Sequence, residues 1–194
     1  SRVNQVGSAR SRKKLSIETA GREARRVFFA AMAKKHGCRF LFTAHHADDQ
    51  AETVLLGLAR GSGTASLSGM AAASPAPDGQ FVYLRPLLGI RRAQTLQFCA
   101  DSGLEPWHDP QNADPAFARV RVRESVLPVL EHELGPGIAE ALARTADQAR
   151  EDAEALDAFA HEQVEELADH AEAGLSLSVK GLASNPTALR QRII

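Results

Sequence analysis

Cysteine is almost missing from this chain: Cys38 and Cys99 are the only two among 194 residues. They are too few and too far apart for a disulfide framework or a zinc site. Long apolar runs are missing as well. None approaches the roughly 18 to 20 residues that a membrane-crossing helix needs, and the opening residues show no signal-peptide pattern. Neither a disulfide-stapled fold nor a membrane-crossing helix is indicated in these residues, and the expectation is a cytoplasmic protein with no membrane partner. Acidic residues are scarce before residue 40. There Glu18 and Glu23 stand against Arg2, Arg10, Arg12, Lys13, Lys14, Arg22, Arg25, Arg26, Lys34, Lys35 and Arg39. Between Glu131 and Glu172 the balance reverses, with thirteen acidic residues against Arg144 and Arg150, so the net charge of -1 hides two opposed blocks. A basic block attracts a polyanion such as a nucleotide or RNA. A solvated loop and helix face accounts for the same charges.

The hydrophobic share of 44% and charged share of 24% fit one globular domain, or one domain with an appendage. Residues 1–6 suit a short strand and 7–14 a basic loop. Ser16 is a candidate N-cap for a helix over 18–36, with Val27, Phe28, Ala31 and Met32 on its apolar side and a stop at Gly37. CRFLFT at 38–43 suits a buried strand, and the helix after it places Val54, Leu55 and Leu58 on one stripe before Gly61. Residues 71–80 read as a loop, 81–84 as a strand and 91–102 as a helix. This alternation argues for a parallel α/β sheet.

After Trp107, DPQNADPA is a turn-rich link, and 117–131 is helical with a bend or end at Pro128. From Gly137, apolar residues recur in steps of three and four and mark one helix of about 30 residues, on the order of 45 Å long. The expected division is 1–132 for the α/β domain, 133–170 for a long connecting helix, and 171–194 for the start of a helical domain.

Residues 43–63, TAHHADDQAETVLLGLARGSG, concentrate the chemistry. His45, His46, Asp48, Asp49 and Glu52 follow a strand in an α/β pattern, at the strand end where open α/β sheets bind ligands. Carboxylates there suit Mg²⁺ or a cationic substrate group, and an imidazole suits a phosphate. Asp49 with Glu52 three residues on also satisfies a helix capping box. The amides of Gly61, Ser62 and Gly63 suit an anion, although the same turn ends a helix. Arg22 and Arg25 share a helix face and suit one anionic group, or simply solvent.

The motif TAHHADDQAET followed by ARGSG resembles that of the tRNA(Ile)-lysidine synthetase family, within the PP-loop ATP pyrophosphatases. Collinear stretches extend the resemblance from about residue 16 onward: the E-x-x-x-R-x-A-R helix at 18–25, RPLL at 85–88, GLEPWHDPQN at 103–112 and RVRVRESVLPVL at 119–130. It implies a Rossmann-like PP-loop fold using ATP and Mg²⁺, acting on an isoleucine tRNA with a CAU anticodon and on free L-lysine. In that chemistry ATP adenylates the C2 oxygen of the wobble cytidine, and the lysine ε-amine then displaces AMP. The resemblance implies lysine or metal contacts for Asp49 and Glu52, a place beside the nucleotide phosphates for His45, and anion stabilisation for Arg22 and Arg25. It leaves room for a homodimer.

The family's SGGxDS loop, which cradles the ATP pyrophosphate, is not among these residues. It is expected N-terminal to Ser1 with the first strands of the sheet, so residues 1–194 alone are expected not to catalyse the reaction. The helical substrate-binding part is expected to continue past Ile194. Arg26 stands where the family usually has Tyr, and Val120 where Asn is common. Three other readings remain open: a PP-loop tRNA thiolase, a metal-dependent phosphohydrolase using His45, His46, Asp48 and Asp49, and a non-enzymatic RNA-binding module.

Overall fold

The computed structural model describes residues 17–61, 63–171 and 174–194. The expected strand at 1–6, the basic loop and the Ser16 cap lie outside them. The chain divides into two compact units, one holding the described residues up to His45 with Ala72–Leu88, the other His46–Ala71 with Gly89–Ile194.

In the first unit, α1 (Ile17–His36) leads into β1 (Phe40–Phe42), and β2 (Ala73–Pro75) leads into β3 (Val82–Leu84). Gly37, at φ 63°, ends α1 in a left-handed conformation that a side chain disfavours. β3 is central: it runs parallel to β1, with Leu41 opposite Tyr83, and antiparallel to β2, with Ser74 opposite Tyr83. The sheet is therefore mixed, and the expected loop at 71–80 contains a strand. Turn residues on both sides of Ala73–Pro75 concealed it, and Pro75 is tolerated because β2 is the edge strand among the described residues.

Phe29, Ala30 and Ala33 of α1 pack on Leu41, Ala76, Phe81 and Tyr83. Val27, Phe28 and Ala31, expected on the apolar face, are exposed. The run VFFAAMA holds two competing stripes, and packing on the sheet selects the second. β1 is not the buried strand expected either. Leu41 faces the core, whereas Phe40 and Phe42 are 53% and 68% exposed.

The second unit is helical. It contains α2 (Ala47–Ala59), the short α3 (Thr64–Leu67), α4 (Arg92–Asp101), α5 (Ala118–Arg121), α6 (Leu127–Glu133) and the 30-residue α7 (Ile138–Leu167). A one-turn 3-10 helix spans Pro110–Ala113. α5 and α6 are joined by a π turn over Val122–Val126, where the Leu127 amide donates to the Val122 carbonyl. Widening the helix just before Pro128 absorbs the proline's missing N–H without ending the helix.

The apolar periodicity of α7 is fully expressed. Positions 138, 142, 146, 149, 153, 156, 160, 164 and 167 are all sheltered, and the carboxylates lie mainly outside that stripe. α7 packs along α2, α3 and α6. The small side chains of Ala51 and Ala139 allow close approach, and with Leu127 they form a buried cluster joined by Leu55, Val122, Ile138 and Leu142. On α2 the buried stripe is Ala47, Gln50, Ala51, Val54 and Gly57, while Leu58 is 53% exposed, against expectation. A Cβ at Gly57 would stand 3.0 Å from the Ser66 carbonyl oxygen, so backbone proximity sets that face.

The tail is not purely helical at its start. A hairpin of β4 (Ala168–Ala171) and β5 (Gly174–Leu177) precedes α8 (Val179–Ser184) and α9 (Thr187–Ile193), and α9 returns to α7. No helix among the described residues is long and apolar enough to cross a membrane.

Candidate active site

The N-terminus of α2 organises the charged residues of the second unit. His46 is its N-cap, at φ -123°, and its capping box is formed with Asp49. The His46 amide donates to Asp49 Oδ2 at 3.0 Å, and the Asp49 amide donates to His46 Nδ1 at 3.3 Å. The expected box of Asp49 with Glu52 is thus displaced by three residues. Since Nδ1 accepts from an amide, the neutral ring carries its proton on Nε2. The 3.4 Å approach of Nδ1 to Asp49 Oδ2 is then part of the cap rather than an ion pair.

The two adjacent aspartates have separate partners. Asp48 accepts from the Arg92 amide at 2.7 Å and from Arg91 Nε at 3.1 Å. Burial disfavours its ionised form, but the Arg92 amide and the Arg91 guanidinium outweigh burial and hold the carboxyl below its ordinary value. Arg91 also meets Glu140 at 2.6 Å, and that bond, opposed by burial and helped by Asp48, keeps the guanidinium charged well above its usual range. Glu140 is lowered in turn by Arg91. Nearby, Glu131 accepts from the amides of Gly137, Ile138 and Ala139, capping α7 with a carboxylate. Asp48 is accordingly an anchor between the starts of α2, α4 and α7.

Asp49 and Glu52 face the other way, toward the arginine-rich helix. Glu52 is fully buried, at 0% exposure. Its Oε2 accepts from Arg119 Nη1 at 3.0 Å and its Oε1 from Arg123 Nε at 2.6 Å. Arg119 also donates to the Thr53 hydroxyl at 3.2 Å, and Thr53 donates to the Asp49 carbonyl at 2.7 Å. Arg123 Nη2 lies 3.4 Å from Asp49 Oδ1. Burial opposes the charge on Arg123, but its bond to Glu52 and the nearby carboxylates prevail and raise its pKa. Asp49 retains partial exposure, and Glu52 retains none.

Arg119 and Arg123 fall in the segment expected to be helical, 117–131, but were not among the expected site residues. Their four-residue separation, taken as helical, puts both on one face and was the available signal.

Other expected site residues have different settings. Gly61 is left-handed at φ 63°, and its amide donates to the Leu58 carbonyl at 2.9 Å, closing α2. Gly63 precedes α3 and accepts from the Ser66 amide. Ser62 lies outside the described residues. Arg22 and Arg25 belong to α1 in the first unit; the Arg22 side chain is not described, and Arg25 is exposed. His45 lies beyond the carboxyl end of β1 in that unit, its Nδ1 3.0 Å from the Thr43 hydroxyl. Among the described residues, no three His, Cys, Asp or Glu converge to hold a metal ion.

An ATP-binding PP-loop domain pattern matches residues 1–130. The chain belongs to the PP-loop family. This PP-loop chain is 60% identical over 178 residues to the tRNA(Ile)-lysidine synthase of Leifsonia xyli subsp. xyli (strain CTCB07), covering 91% of the chain and 52% of that relative. It is 50% identical over 178 residues to the synthase of Nocardia farcinica (strain IFM 10152), covering 92% and 52%. With the synthase of Mycobacterium bovis (strain ATCC BAA-935 / AF2122/97) it shares 44% over 190 residues, covering 98% and 54%. The PP-loop chain therefore spans about half the length of these relatives, and the family resemblance read from the histidine–aspartate motif is borne out.

Proposed function

We propose that this chain is part of an enzyme that ligates lysine to the wobble cytidine of a CAU-anticodon isoleucine tRNA, consuming ATP. The observation that carries this reading is the Asp49–Glu52–Arg119–Arg123 cluster at α2, in a chain 60% identical over 178 residues to a protein named tRNA(Ile)-lysidine synthase. The reaction needs both signs of charge. Adenylation of the cytidine C2 oxygen expels pyrophosphate, whose growing negative charge guanidinium donors stabilise. Attack by the lysine ε-amine needs a carboxylate to receive the ammonium before it loses a proton.

Asp49 supplies that carboxylate: of the two that face the arginines, it is the one that stays partly exposed. His45, Arg22 and Arg25 are assigned to phosphate contacts. Among the described residues no three His, Cys, Asp or Glu converge, so Mg²⁺ would be carried chiefly by the nucleotide phosphates, where it would neutralise pyrophosphate charge.

The experiment incubates the complete gene product with ATP, lysine and the CAU-anticodon transcript, then digests the RNA for mass spectrometry. A wobble cytidine heavier by lysine minus water is expected. A product that gains sulfur, or no product, would contradict the proposal.

A further inference from the structure

We propose that Glu52 is a positioning residue, which fixes the guanidinium groups of Arg119 and Arg123 as a pair for a phosphate oxygen of the nucleotide and does not touch lysine. This deepens the lysidine-forming reading and rests on it. Asp49 and Glu52 look equivalent in sequence, one turn apart on the same helix, but their surroundings separate them. Glu52 has no exposed surface, and each of its oxygens already receives a short charge-assisted bond, at 3.0 and 2.6 Å. A lysine ammonium arriving there would have to displace a guanidinium from a buried carboxylate.

The arginines, by contrast, reach solvent, with 28% of the Arg119 side chain and 18% of the Arg123 side chain exposed. A guanidinium carries five N–H donors in a rigid fork. Arg123 gives Nε to Glu52 and Nη2 to Asp49; Arg119 gives Nη1 to Glu52 and Nη2 to Thr53. These bonds fix the plane of each fork and leave further N–H donors on two partly exposed side chains that cannot lose their charge.

In direct contact, two guanidiniums stand against two carboxylates, Glu52 and Asp49. Once Asp49 engages an ammonium, a positive surplus is left for an anion, and planar forks match phosphate oxygens. Stability does not explain the arrangement, because apolar residues of similar volume usually serve a buried site at least as well.

The test uses the complete enzyme and two readouts: tRNA-dependent ATP–pyrophosphate exchange without lysine, and the KM for lysine in tRNA modification. Glu52→Gln is expected to slow exchange by roughly tenfold or more, with the lysine KM within about twofold of wild type. Arg123→Lys, which keeps the charge but loses the fork, is expected to show the same split, and Glu52→Asp a partial recovery. A Glu52→Gln enzyme with normal exchange and a lysine KM raised about tenfold would make Glu52 a lysine ligand and overturn the proposal. Normal values in both readouts would overturn it too. Should Glu52→Gln fail to fold, Arg119→Lys and Arg123→Lys decide, and unchanged exchange in both refutes the pairing. A wild-type enzyme that forms no lysidine would instead remove the parent reading.

Discussion

Asp48→Asn retains the size of a side chain that joins the start of α2 to Arg91 and the Arg92 amide, and removes only its charge. Because the folded carboxyl lies below its ordinary value, its contribution is fully present above the unfolded pKa of about 3.9 and is lost as pH falls through the folded value. The variant is therefore expected to be less stable than wild type by about 1–3 kcal/mol near pH 7, with the gap closing below about pH 4. Urea unfolding at both pH values measures this, and a gap independent of pH would contradict the role given to Asp48.

Arg123→Ala tests the other side of the helix. It takes one of two cations from a fully buried carboxylate and is expected to cost about 3 kcal/mol. The triple change Glu52→Leu, Arg119→Met, Arg123→Met is expected to regain most of that stability in the same unfolding assay. A triple variant as unstable as Arg123→Ala would show that the cluster is held for folding.

Two glycines test the elements. Gly61 and Gly69 both have left-handed backbones, at φ 63° and 59°, so an alanine at either carries a conformational cost of roughly 1–2 kcal/mol. They differ in space. A Cβ at Gly61 meets nothing within 4 Å, whereas one at Gly69 would stand 2.6 Å from Gln50 Oε1. Gln50 is buried and pairs with both the amide and the carbonyl of Met70, so it cannot move aside without breaking two hydrogen bonds. Gly69→Ala is expected to lose at least about 1 kcal/mol more than Gly61→Ala in thermal or urea unfolding. Equal losses would mean that Gln50 yields freely.

The same elements show what was legible. The 30-residue periodicity of α7 fixed its extent because a long amphipathic stripe has few alternative readings. α2 was legible in existence and only in part in orientation. Val54 is buried and Leu55 packs on the core as expected, but the rest of the buried face is Ala, Gln and Gly at close approach, and Leu58, expected on it, is exposed. β2 was hidden because strand pairing is non-local, and nothing within Ala73–Pro75 announces a partner nine residues on. The histidine–aspartate turn could be recognised from its residues alone. The arginines that complete its charge come from residues 67 and 71 positions away from Glu52, a distance that local pattern cannot cross.

At the scale of the whole molecule, the chain offers a PP-loop domain and spans about half of relatives named tRNA(Ile)-lysidine synthase. The proposed lysine-ligating role stands or falls with Asp49, the partly exposed carboxylate beside the guanidinium pair. The most direct measurement is the lysine dependence of tRNA modification by the complete enzyme carrying Asp49→Asn, compared with wild type. Lysine-dependent modification is expected to fall by at least roughly a hundredfold in kcat/KM, through the loss of an ammonium contact and a proton acceptor, while tRNA-dependent pyrophosphate exchange persists. An Asp49→Asn enzyme that couples lysine to the wobble cytidine as efficiently as wild type would contradict that role.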